Sequence, residues 1–325
     1  RKERWRIIDA LVASGLMVAL VGLVMYFSGT VITAEGGSRR LLSVYGSPNN
    51  VGLFLGRVIP LSVAYVLWAG PQASDSTERA KYPNGFVTKV RAWIGNLLRS
   101  RRRTAYLLAL LPMGIALLLS LSRGAIVLGI PAALLLMGWF AGKGWRRATV
   151  VVLVVGAIAL IPLLSTPRFA GMLDLSRGTT GFRVSLWHST WQLVKEHPWL
   201  GVGLDNFLYA YRTRYVLPTA WEEFNLSHPH NVLLDFTARL GIGGLIAFLW
   251  WQVVFWRAAV PLRKRQDAVV RALGIGIAGS MADFLAHGLV DAAYFIVDLA
   301  YVAWFSAALI VWLSSDSGFG VDQSE

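Results

Sequence analysis

Residues Ala105–Phe140 read AYLLALLPMGIALLLSLSRGAIVLGIPAALLLMGWF, 36 residues carrying a single charge, Arg123. As one α-helix at 1.5 Å per residue this stretch is roughly 54 Å long, against a hydrocarbon core of about 30 Å. It therefore reads as two membrane spans joined by a tight turn, with Ser122-Arg123-Gly124 at its middle. Further apolar stretches lie on either side: Ile7–Phe27, Val51–Trp68 (interrupted by Arg57), Thr149–Leu164, Gly241–Trp256, Ala272–Val290 and Tyr294–Leu313. The expected fold is an all-α polytopic membrane protein of about eight transmembrane helices. No internal repeat is evident, so residues 1–325 read as one membrane domain.

Composition agrees. The chain is 55% hydrophobic, holds 14 tryptophans and only 15% charged residues, which excludes an ordinary soluble domain. A net charge of +13 would suggest nucleic acid for a soluble protein. Here the basic residues gather in loops on one side, and no nucleic-acid partner is expected. The N-terminus and the segments 69–104, 141–148 and 257–271 hold 20 of the 31 lysines and arginines. The positive-inside rule puts these segments and both termini in the cytoplasm. Zero cysteines exclude disulfides and thiolate metal sites but leave the compartment open. The opening Arg-Lys-Glu-Arg, without a methionine, is consistent with a chain lacking earlier helices.

One long polar segment interrupts the hydrocarbon. Residues 165–239 form an extracytoplasmic loop with a helical lead-in to the next span, and Ser227-His-Pro-His-Asn231 lies near its end. Val184, Trp187, Trp191 and Val194 recur at helical spacing within Phe182–Glu196, and Phe207, Tyr211 and Tyr215 form a second i, i+4 stripe. Such aromatic helices suit the membrane–water interface, whether they only cover the bundle or also touch a lipid substrate.

Several polar residues land on this outer face. Arg123 between two spans is costly unless it snorkels or meets an anion, and a guanidinium grips phosphate in a planar fork. Arg183 follows Thr179-Thr180-Gly181, which puts it in the first turn of its helix, where the macrodipole disfavours a cation unless an anion sits opposite. A plain surface arginine is the equal alternative. Ser227 reads as an N-cap, Pro229 as an early helical residue and Gly241 as a stop. His230 then falls in a first turn, where the dipole favours a neutral imidazole able to act as a general base. His228 and His230 could instead hold a metal with Glu222, Glu223 or Asp205. Asp283, His287 and Asp291 recur at i, i+4, i+8 in the seventh span, as a proton path or as partners of Arg57 or Arg123; pairing is the favoured reading.

The motifs Gly201-Val-Gly-Leu-Asp-Asn-Phe207 and His228-Pro-His-Asn231, followed by a Gly-rich span, resemble the O-antigen ligase and polymerase superfamily. Tyr45-Gly-Ser-Pro-Asn-Asn50, Ser122-Arg123-Gly124 and His287-Gly-Leu-Val-Asp291 stand where that family has similar motifs. The resemblance implies a metal-independent inverting glycosyltransferase of the C-type membrane fold, without cofactor, in the bacterial cytoplasmic membrane. Its donor would be a glycan on undecaprenyl diphosphate, and its acceptor a lipid core, a growing glycan or a protein. It also implies that His230 activates the acceptor hydroxyl and that Arg123 and Arg183 hold the diphosphate. Arg40, Asn49, Asp205, Asn206, His228, Asn231 and Asp291 are the supporting, substrate-binding residues it suggests. Family members usually have ten to twelve spans. The competing readings are a proton-coupled transporter, which would more naturally show inverted repeats, and an assembly protein without chemistry.

Overall fold

The computed structural model describes residues 2–34, 37–70, 94–95, 97–166, 169 and 178–315. The basic residues Arg79, Lys81, Lys89 and Arg91 of the 69–104 segment lie outside the described residues, as do the side chains of Glu222 and Glu223.

Eight described helices are long and apolar enough to cross a membrane. In chain order, α1 is Lys2–Phe27, α2 Pro48–Trp68, α3 Arg101–Leu119, α4 Ile130–Ala141 and α5 Lys143–Leu164. The loop helix α6, Gly178–Glu196, precedes the spans α7, Val232–Leu262, α8, Ala268–Gly288, and α9, Val297–Ser315. The 105–140 stretch does divide into two spans. α3 stops at Leu119, Leu121 takes a left-handed φ of 46°, and a π-helical turn over Gly124–Gly129 opens α4. One feature was not expected: Ile32–Ala34 and Ser38–Arg40 pair as a short antiparallel hairpin between α1 and α2.

Local chemistry fixes the ends. Pro48 begins α2 at the position where its missing N–H costs nothing, so Asn49 and Asn50 are first-turn residues rather than part of a turn. Asp267 caps α8 by accepting from the N–H groups of Val269 and Val270. Gly142, at φ 109°, separates α4 from α5.

The buried centre is α2 against α8, with α4 and the π-helical turn alongside. A Cβ on Gly276 would stand 2.8 Å from the Leu61 Cα, so glycine lets these two backbones approach. In contrast, α5 packs on α4 and is otherwise exposed on its valine and isoleucine side chains.

The sixth span and its lead-in are one helical rod broken at Gly241, where φ is 66° and ψ −164°. A break inside a span frees carbonyls that lipid cannot satisfy. The Gly201-Val-Gly203 segment fills that need: Val202 N–H donates to Ala238 O at 2.8 Å and Gly203 N–H to Arg239 O at 3.0 Å. Across the same contact Ile242 N–H donates to Pro198 O at 2.8 Å. A Cβ on Gly241 would lie 2.1 Å from Trp199 O, and one on Gly201 2.5 Å from Ala238 O. Both glycines are therefore required by contact as well as by their left-handed φ.

α6 exists, but its buried face differs from the expected one. Leu186, Ser189, Thr190, Leu193 and Val194 face inward, while Trp191 is exposed. The aliphatic face is the one that meets Phe207, Tyr211 and Tyr215, whose stripe is buried. Packing against that aromatic stripe turns Trp191 outward.

Candidate active site

At one end of the bundle the chain gathers four segments that are far apart in sequence: the 120–124 turn, the start of α6, the His228–Asn231 segment and the chain after α8. Asp291 is where they meet. Its Oδ1 lies 2.8 Å from His230 Nδ1 and its Oδ2 3.4 Å from Arg183 Nη2. The backbone N–H of Ala292 donates to Oδ1 at 2.9 Å, and His287 Nε2 stands 3.9 Å from Oδ2. Burial by itself raises the Asp291 carboxyl, but the His230 hydrogen bond and charge and the Arg183 guanidinium outweigh it. They hold the carboxyl well below the usual carboxylate range. An ionised Asp291 at neutral pH follows.

Three of the expected placements are corrected here. Asp291 is not a residue of the seventh span paired with Arg57 or Arg123; α8 ends at Gly288, and the chain beyond it carries Asp291 to His230 and Arg183. Arg183 is not in the first turn, because α6 already begins at Gly178; it lies in the second turn, facing a carboxylate. His230 is not in a first helical turn and Ser227 is not the cap. Asn231 caps α7, its Oδ1 accepting from the N–H groups of Leu233 and Leu234 at 3.0 and 3.1 Å. The reason is local competition: asparagine next to the helix start offers the same cap with no intervening proline.

His230 instead precedes the cap, with φ 50°. Left-handed backbone costs a non-glycine residue about 1–2 kcal/mol, so contacts must hold it. Two do. Asp291 grips the ring, and Trp187 Nε1 donates to Pro229 O at 3.0 Å from α6. Asn231 Nδ2 also donates to Leu289 O at 3.0 Å, tying the segment to the end of α8. Both ends of the Asn231 amide thus serve the fold.

His228 stacks edge-on to His230 with ring centroids 4.4 Å apart, and its Nδ1 meets Ser227 Oγ at 3.1 Å. Burial first, and then the neighbouring His230, lower the His228 pKa from 6.5 to about 3. It is neutral at physiological pH. Among the described residues the third group near the two histidines is Asp291 rather than Asp205: one ligand atom from each of His228, His230 and Asp291 lies within 4.8 Å of the others.

The second arginine reaches the same helix as the first. Arg123, buried, donates from Nη2 to Thr179 Oγ1, one turn before Arg183 on α6. Behind it Ser122 Oγ lies 3.5 Å from His287 Nε2, closing a path from the 120–124 turn back to Asp291. A Cβ on Gly124 would stand 2.4 Å from His287 Cδ2, so this glycine makes room for the imidazole. Arg40 and Asn49 pair with each other at 2.7 Å, and Arg40 Nε donates to Ser120 O at 2.8 Å, just before that turn.

Two expected residues do not join the cluster. Asp205 and Asn206 lie on the exposed turn after Gly203, where Asn206 Nδ2 donates to Val202 O at 2.9 Å. Asp283 is fully buried, and its carboxylate makes no hydrogen bond among the described residues. Arg57 spends its guanidinium on the carbonyls of Leu299 and Ala293 rather than on that acid.

Thr179 and Trp187 were read only for their helix pattern, and Asp235 and Arg239 were not singled out by sequence reasoning. Asp235 and Arg239, four residues apart in an apolar helix and 2.6 Å from contact atom to contact atom, were findable by spacing alone. Arg239 also donates to Leu204 O and, at 2.5 Å, to Ser227 O, so it fastens the glycine turn to the histidine segment.

Beside the cluster runs an apolar groove of 770 Å³ between α4, α7 and α8. Val232, Leu233 and Leu289 line it next to Asn231 and Asp291, and Trp139 and Trp256 line it farther along the same helices.

Residues 108–249 match the family model described as O-antigen ligase. Over that segment the chain is similar to the O-antigen ligase family. The segment contains Arg123, Arg183, His228 and His230, while Arg40, Asn49 and Asp291 lie outside it. The chain is also similar to an O-antigen ligase from Pseudomonas aeruginosa, 29% identical over 166 residues. The aligned part is 50% of this chain and 36% of that relative, so the chain spans about a third of its relative's length in the match.

Proposed function

We propose that the protein is an inverting, metal-independent glycosyltransferase of the O-antigen ligase type, moving a glycan from undecaprenyl diphosphate to an acceptor hydroxyl. The reaction takes place at the extracytoplasmic face of the bacterial cytoplasmic membrane. The observation that carries this reading is the single carboxylate of Asp291 holding both His230 and Arg183.

As a base His230 acts in its neutral form, and an ionised carboxylate then favours the ring proton on Nδ1, which leaves the Nε2 lone pair for a substrate hydroxyl. The acceptor oxygen gives its proton to Nε2 and forms a bond to the sugar C1. As it does, the bond from C1 to the diphosphate oxygen breaks on the opposite side, and the electron pair leaves with the diphosphate. Arg183 and Arg123, brought together through Thr179, are suited to the charge that develops there. Each such donor is worth about 3 kcal/mol in a dehydrated site. The apolar groove next to the cluster supports a lipid-linked donor, because a polyprenyl tail needs an apolar path that ends at the reacting diphosphate.

Purified protein in EDTA, given polyprenyl-diphosphate-linked glycan and a lipid-core acceptor, should transfer the glycan. His230→Ala and Arg183→Ala should abolish transfer at equal folded yield. Transfer that survives both substitutions would refute this site. Substrate-dependent proton uptake into liposomes without transfer would favour the transporter instead.

A further inference from the structure

We infer that His228, His230 and Asp291 form a binding site for a divalent transition-metal ion of the zinc type, and that occupancy switches the reaction off. The inhibitory half rests on the transferase reading above; the binding half does not.

Geometry comes first. One ligand atom from each of the three residues lies within 4.8 Å of the other two, and the imidazole rings stand 4.4 Å apart, edge to face. Zinc holds nitrogen at about 2.0–2.1 Å and carboxylate oxygen at about 2.0–2.2 Å, so ligand atoms around one ion sit about 3.3–3.5 Å apart. Closing from 4.8 Å takes rotation of the half-buried His228 ring, whose present partner is the exposed Ser227 hydroxyl. His230 Nδ1 and Asp291 Oδ1 stand 2.8 Å apart, so an ion that takes both has to part this hydrogen bond by about half an ångström.

The ligand chemistry fits as well. Two imidazoles and a carboxylate form the three-ligand set of borderline zinc sites with an open fourth position. The second shell is in place too. Ala292 N–H donates to Asp291, as hydrogen-bonded partners do around ligating carboxylates, and His287 Nε2 stands 3.9 Å from the same carboxylate.

Occupancy removes the base whichever His230 nitrogen binds. On Nε2 the ion takes the lone pair meant for the acceptor proton. On Nδ1 it displaces the single ring proton of the neutral imidazole to Nε2, turning that nitrogen into a donor. Arg183, 3.4 Å from Asp291, places a fixed positive charge against the incoming ion and limits its affinity. That opposition gives the site its own signature.

The experiment is zinc chloride titrated into the purified full chain in detergent, with a chromophoric chelator as competitor. Wild type should bind one equivalent at micromolar zinc. His228→Ala should weaken binding at least tenfold, and Arg183→Gln should tighten it severalfold. A surface histidine elsewhere, such as His188 or His197, gives no such opposite response. Unchanged affinity in both variants, or no binding at 100 µM zinc (about a hundredfold above the expected constant), overturns the site. In the transfer assay, zinc should halve the wild-type rate at the concentration that half-fills the site, and EDTA should restore it. Binding without inhibition would overturn the switch and leave the metal site standing. Inhibition cannot be read at all if no transfer is seen, and the chelator titration then tests the site by itself.

Discussion

Asp291 Oδ1 stands 2.8 Å from His230 Nδ1, although the two residues are 61 positions apart. This contact sets the tautomer of the histidine. Asparagine at 291 keeps the size but offers an N–H or a neutral carbonyl in place of the carboxylate, so the imidazole loses its orienting charge. Asp291→Asn should lower kcat by about 10³–10⁴-fold, the cost seen when a histidine base is left in the wrong tautomer. The donor KM should also rise, because Arg183 loses the carboxylate that positions it. A variant with wild-type kcat would show that Asp291 serves the fold alone.

His228 gives a pH dependence of stability. Its folded pKa, about 3, lies below the ordinary histidine value of 6.5. Between those values the unfolded chain binds a proton that the folded chain refuses, so stability falls as pH drops from about 6.5 towards 3. The slope contributed is at most about 1.4 kcal/mol per pH unit. The apparent Tm in detergent should therefore decline steadily from pH 7 to pH 5, and His228→Gln should flatten that decline. Parallel curves for the two proteins would contradict the assignment.

The eight spans and the turn at Ser122-Arg123-Gly124 were legible because hydropathy and length are local quantities. Gly241 was readable as a stop for the same reason, although the rod continues beyond it as a span. What could not be read was anything that depends on two distant segments choosing each other. Asp291 looked like a member of an i, i+4, i+8 ladder because a sequence does not say that α8 ends at Gly288. Trp191 looked inward because its spacing is as helical as that of Leu186 and Leu193. Only the Phe207–Tyr215 stripe decides which face turns in. His230 was picked out for its chemistry but given the wrong backbone, since Ser227 and Asn231 are both good caps and tertiary contacts choose between them.

The break at Gly241 is testable without substrate. Alanine there must put a Cβ 2.1 Å from Trp199 O and adopt a φ of 66°, so the lead-in and the Pro198–Gly203 segment have to separate. That exposes the carbonyls of Ala238 and Arg239 and loosens Ser227, which Arg239 holds. Gly241→Ala should destabilise the protein by about 2–4 kcal/mol, a strained backbone plus unsatisfied buried groups. Gly243→Ala, two residues on and facing open space, is the control and should be neutral. Equal Tm values for both would refute the backbone contact as a structural necessity.

Filling the groove separates tail binding from chemistry. Ala286 lines it on α8, one residue before His287, and tryptophan there would occupy about a fifth of the 770 Å³ volume, from the size of the added ring system. The substitution touches neither Asp291 nor His230, so kcat with a saturating short-prenyl donor should stay within about threefold of wild type. With the long polyprenyl donor the KM should rise at least tenfold, the loss of about 1.4 kcal/mol of apolar contact. The comparison of the two donors is the decisive measurement. A KM that rises equally for both would mean that Ala286→Trp has disturbed the site itself, and an unchanged KM for the long donor would place the lipid tail elsewhere on the bundle.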